Sequence, residues 1–115
     1  MAVGGAIGAC VRYWVFLATS KWQLGFPYAT LGVNVIGCFL IGVIMSFVEH
    51  RHWTPEWRTF LVTGLLGSMT TFSTFGYETY VIWASGQRTM AFAVVGANVL
   101  LGLSAVALGW RAGAP

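Results

Sequence analysis

Three apolar runs, at residues 29–48, 59–83 and 90–110, leave this chain few ways to fold. Each approaches or exceeds the roughly 20 residues that cross a bilayer as a helix. A fourth run, residues 1–19, is interrupted only by Arg12. It has the length of a signal peptide. Its positive charge sits mid-segment instead of at the start, however, so a membrane span is expected. Of 115 residues, 57% are hydrophobic and only 8% charged, against about a quarter charged in a soluble domain. A water-soluble fold this small has too little interior to hide such a surface. In lipid the backbone must satisfy its own hydrogen bonds, which leaves helices or closed barrels. Runs of this length specify helices. The expected fold class is therefore an all-α membrane protein with one domain, residues 1–115, of four transmembrane helices.

The punctuation agrees. Pro27 and Pro55 stand just before the second and third helices, where a proline costs no helix hydrogen bond. Trp22, Trp53, Trp57, Trp83 and Trp110 fall near predicted helix ends, as an aromatic belt requires. Cys10 and Cys38 lie inside apolar helices and read as small buried hydrophobes. His50 and His52 flank Arg51 in a loop, and no metal-type Cys/His spacing is present. Carboxylates are few, with no Ser/His/Asp or Cys/His arrangement, so the chain is not read as an enzyme. No nucleic-acid partner is expected.

Charge says little about orientation. With four helices, both termini and the central loop share one side. Arg51, Arg58 and Arg111 lie there, and Lys21 and Arg88 lie opposite. The Lys/Arg excess that normally sets topology is almost absent. The expectation is insertion in both orientations, which permits an antiparallel dimer. Glycines on the first helix (Gly4, Gly5, Gly8), the second (Gly32, Gly37) and the fourth (Gly96, Gly102) allow close helix approach. They serve a dimer interface and packing within one subunit equally well.

Residues 64–75, GLLGSMTTFSTF, are poor material for the continuous helix their position demands. Glycine adds backbone freedom, and hydroxyl and β-branched side chains disfavour or bend a helix. A break at membrane depth has to line a cavity or hold an ion. The third helix is therefore expected to be broken.

The polar residues within the spans form a track suited to an anion. Thr30 and Asn34 are four apart and share a helix face. Thr71, Ser73 and Thr74 add hydroxyls beside Phe72 and Phe75, and Asn98 adds an amide in the fourth helix. None is charged. Neutral donors can replace an anion's hydration without trapping it. Aromatic ring edges are electropositive, so paired phenylalanines can contact an anion weakly. Packing between helices also accounts for any one of these residues, Asn98 above all. Arg12 is costly to bury and needs a carbonyl, a carboxylate or an aqueous vestibule. Glu78 is its one plausible counter-charge within the membrane.

Three motifs in order resemble the small fluoride channels of the Fluc/CrcB family: GGAIGACVRY (residues 4–13), TLGVNVIGCFLIG (residues 30–42) and GLLGSMTTFSTFGYE (residues 64–78). The fourth helix matches more loosely. The resemblance implies an antiparallel dual-topology homodimer in the lipid bilayer of the cell's inner (plasma) membrane. Its function is then passive, fluoride-selective export through two pores shared by both subunits. Asn34 corresponds to the pore asparagine, Phe72 and Phe75 to the pore phenylalanines, and Thr30, Thr71 and Ser73 to the hydroxyl lining. Backbone carbonyls at Gly67 and Thr70 of both subunits correspond to a central Na+ site, and Arg12 to a vestibule arginine. Met69 stands where the family often has a small residue, and Asn98 and Gly102 fall where many members carry hydroxyls. A competing reading is a small dual-topology, proton-coupled multidrug transporter. That mechanism needs a membrane-embedded carboxylate, and the first helix carries Arg12 with no acid.

Overall fold

The computed structural model describes residues 1–19, 26–51, 54–67 and 72–114, and the regular structure among them is helical. Helix α1 is Ala2–Thr19, α2 is Tyr28–Arg51, and α3 is the single turn Pro55–Arg58. A π-helix, Thr59–Leu66, continues directly from α3. Helix α4 is Phe72–Ala84 and α5 is Arg88–Gly113. Pro55 opens α3, and Pro27 immediately precedes α2. Gly86, at φ 91°, makes the turn from α4 to α5 in a left-handed conformation that glycine adopts without cost.

Helices α2 and α5 have 24 and 26 residues and are long and apolar enough to cross a membrane. The 18 residues of α1 give roughly 27 Å, close to the thickness of a hydrocarbon core. Large apolar side chains such as Trp14, Phe92, Leu100 and Leu103 remain outside, which fits a chain whose solvent is lipid.

Side-chain pairings fix the direction of each segment. Along α2, residues 34, 38 and 42 meet residues 98, 102 and 106 of α5 in rising order, so the two helices run parallel. The third segment runs the other way. Thr30 meets Glu78, whereas Val48, eighteen positions further along α2, shares a recess with Thr59 and Thr63. Met1 and Gly4, at the start of the chain, meet the π-helix and residues 9–16 share a recess with Thr74 and Glu78, so α1 runs with the third segment. The four long segments thus alternate in direction.

Two glycine crossings bring backbones together. A Cβ on Gly42 would meet the Val106 carbonyl, and one on Gly109 would meet the Phe39 carbonyl. A Cβ on Gly4 would come 2.7 Å from the Phe60 carbonyl, and one on Gly64 2.8 Å from that of Met1. In lipid no hydrophobic force drives helices together, so close van der Waals packing at small residues provides the grip. Gly4 and Gly102 therefore serve packing within the subunit. Gly5 and Gly96 have open space beside them.

The third segment differs from the expected break in one respect. Its departure from α-helical geometry begins at Thr59, ahead of the glycine and hydroxyl stretch, as a π-helix of 8 residues. Such helices are rare and concentrate at functional sites. Gly67 keeps helical dihedrals (φ −62°, ψ −32°), and its N–H bonds back to the Gly64 and Val62 carbonyls. The unwinding expected over residues 67–70 is therefore absent at Gly67, and residues 68–70 lie outside the described residues. The helix is regular again from Phe72.

Candidate functional site

Helices α2, α4 and α5 and the π-helix line an open cavity of about 420 Å³. Asn34, Cys38, Phe72, Phe75, Asn98 and Gly67 line it, with aliphatic side chains completing the wall. Its polar groups are the two carboxamides. Asn34 Nδ2 donates to Asn98 Oδ1 at 2.9 Å, and Asn98 Nδ2 donates to the Val94 carbonyl at 2.8 Å. Side-chain hydrogen bonds between membrane helices average about 0.6 kcal/mol. The amide pair is therefore too weak to hold α2 on α5, a task for the glycine contacts. Its consequence is orientation.

Phe72 and Phe75 project from successive turns of α4. Their ring centroids lie 5.6 Å apart at an interplanar angle of 54°. The spacing of three thus places both on one face, as helical geometry requires. Phe72 is 83% exposed in the single chain, far more than a core aromatic.

A second cavity of about 290 Å³ lies between α1, α2 and α4. Arg12, Tyr13, Thr30, Thr74 and Glu78 contribute its polar groups. The buried Thr30 hydroxyl donates to Glu78 Oε1 at 2.8 Å. Glu78 Oε2 is buried with no hydrogen-bond partner among the described residues. Arg12 is exposed and shares this cavity with Glu78, so the expected counter-charges face one common space without closing on one another.

The predicted site residues thus divide. Asn34, Phe72, Phe75 and Gly67 come together in the larger cavity. Thr30 shares a face of α2 with Asn34 yet turns to a different neighbour, with its proton directed at Glu78. Arg12 belongs with Thr30. Ser73 is exposed on α4 and lines neither cavity. Thr70 and Thr71 lie outside the described residues. Sequence reasoning missed two features. Cys38 lines the larger cavity, which its position one turn beyond Asn34 foreshadows. Glu78 is the partner of Thr30, which its place one turn beyond Thr74 only hints at.

The sequence pattern described as CrcB-like protein, Camphor Resistance (CrcB), matches residues 1–110. A protein of Saccharophagus degradans named fluoride-specific ion channel FluC is 49% identical over 92% of this chain and 80% of its own length. Proteins of the same name from Shewanella amazonensis and Desulfotalea psychrophila are 46% and 43% identical. These alignments cover 95% and 96% of this chain, and 89% and 86% of the relatives.

Proposed function

The chain belongs to the CrcB-like family, and from that premise we propose that it is a passive, fluoride-selective channel that exports fluoride and limits its toxicity. It catalyses no reaction. The observation that carries this reading is the larger cavity, where a neutral amide donor and a pair of phenylalanine rings face the same space. Amide N–H groups and ring edges are electropositive without carrying a fixed charge. They can take over part of a small anion's hydration and still release it.

In this reading Asn34, Phe72 and Phe75 form the pore at the larger cavity, and the hydroxyls of Thr30, Thr71 and Ser73 line the path beyond it. Arg12 raises the local anion concentration at the mouth of the smaller cavity. The chain crosses the inner membrane four times, in keeping with the alternating directions of its long segments. Two copies pair antiparallel, one in each orientation, and the exposed Phe72 faces its partner. Gly67 and Thr70 carbonyls from both copies hold a structural Na+ between them. Gly67 ends the π-helix, where backbone carbonyls gather partial negative charge, and carbonyl oxygens suit a hard cation.

The test is anion efflux from proteoliposomes. Fluoride release measured by electrode should far exceed that of protein-free vesicles, while chloride is retained. Fluoride release no faster than from protein-free vesicles overturns the reading. Dual topology is tested separately by labelling a C-terminal tag from each side. Exclusive labelling from one side overturns it.

A further inference from the structure

Asn98 sits on α5 beside Asn34 in the wall of the larger cavity, and both of its amide atoms are engaged. Nδ2 is bound to the Val94 carbonyl one turn back, and Oδ1 accepts from Asn34 Nδ2. The first bond decides the second. With one Nδ2 proton bound to its own helix, Asn98 turns its oxygen to Asn34 on α2. An oxygen repels an anion, so this face of Asn98 is not an anion ligand. It is an acceptor that fixes the plane of Asn34.

A carboxamide is two-faced, with two N–H donors at one end and a carbonyl oxygen at the other. Rotated by half a turn, Asn34 would show oxygen where a donor is needed. The bond to Asn98 disfavours that rotamer, because two amide oxygens would then oppose each other. It uses one Asn34 N–H and leaves the second in a defined direction. Among the described residues nothing else accepts from Asn34.

We propose that Asn98 is a positioning residue that sets the sign of the Asn34 dipole toward the passing anion. This rests on the reading of Asn34 as a fluoride donor in a channel. It makes Asn98 act through Asn34 and not as an independent step in the track.

The experiment combines flux with a spectroscopic readout. Proteoliposome fluoride efflux, normalised to assembled protein, is compared for the unmodified chain, Asn98→Leu, Asn34→Ala and the double variant. Asn98→Leu should slow efflux roughly threefold, the scale of one hydrogen bond between membrane helices. In the Asn34→Ala background the same change should have no further effect. A full second loss in the double variant, or unmodified flux in Asn98→Leu, overturns the proposal. A silent unmodified chain overturns the channel reading instead.

Asn34 and Asn98 are the only asparagines in the chain, so asparagine-selective ¹⁵N labelling gives two side-chain amide pairs. On titrating fluoride into the unmodified protein, one Asn34 proton should shift while the other, held by Asn98, stays. Equal movement of both Asn34 protons, or movement confined to Asn98, overturns the proposal without needing a variant to fold.

Discussion

The two ends of the α2–α5 seam are built from different residues and behave in opposite ways: small ones at one end, carboxamides at the other. Toward the C-terminal ends, Gly42, Gly109 and Gly113 let backbones touch, leaving no room for a side chain. Ser46 there is fully buried. Toward the N-terminal ends, Asn34 and Asn98 meet through side chains instead of backbones, and a cavity lies beside them. Cys38 against Gly102 marks the transition, with a built Cβ 3.4 Å from the sulfur. Gripping one end tightly lets the other stay open, since a cavity in lipid has no hydrophobic force to keep its walls in place.

Adding a side chain to the closed end should break this contrast most severely. In Gly109→Leu the new Cβ meets the backbone carbonyl of Phe39, which cannot swing away. A loss of about 3 kcal/mol is expected, the upper range for overpacking. Size-exclusion profiles and thermal unfolding in detergent should show an unfolded or dispersed chain.

At the open end the fold should survive and flux should fall. Asn34→Asp replaces the amide donors with a negative charge. Fluoride efflux should drop at least tenfold, a barrier increase of about 1.4 kcal/mol, with the assembled protein unchanged. Unchanged flux would remove Asn34 from the pore and make the open end a packing defect. Phe72→Ile keeps an apolar side chain but loses the ring edge. It should reduce throughput by roughly threefold, corresponding to about 0.6 kcal/mol, again with assembly retained.

The smallest expected effect comes from a glycine that belongs to neither kind of contact. Gly5 has no atom within 4 Å of a built Cβ, so Gly5→Ala should change single-chain stability by less than about 0.5 kcal/mol. A clear weakening of self-association in detergent would place the partner subunit against this face of α1.

Much of the candidate site was legible because local spacing carried it. Phe72 and Phe75 are three apart, and a helix must put them on one side. The pairings were not legible. Asn34 and Asn98 are 64 positions apart, and Thr30 and Glu78 are 48 apart. Thr30 and Asn34 were expected to act together because they share a helix face. The structure gives them different partners, because two neighbouring helices pack against that one face. The π-helix was hidden too, since its sequence, TFLVTGLL, carries no proline and resembles any apolar helical run.

The sequence by itself determined that this chain is helical, that its helices suit lipid, and which few polar groups they carry into it. Length and the scarcity of charge suffice for that, because lipid admits only helices or closed barrels and apolar runs of about 20 residues are too long for barrel strands. Which faces meet was decided only in three dimensions. A soluble helix marks its buried side with an apolar stripe, but here the lipid-facing and packed sides are equally apolar. Backbone contacts at Gly42 and Gly109 choose the register between α2 and α5. That register brings Asn98 to Asn34 and so decides which end of an amide faces the cavity.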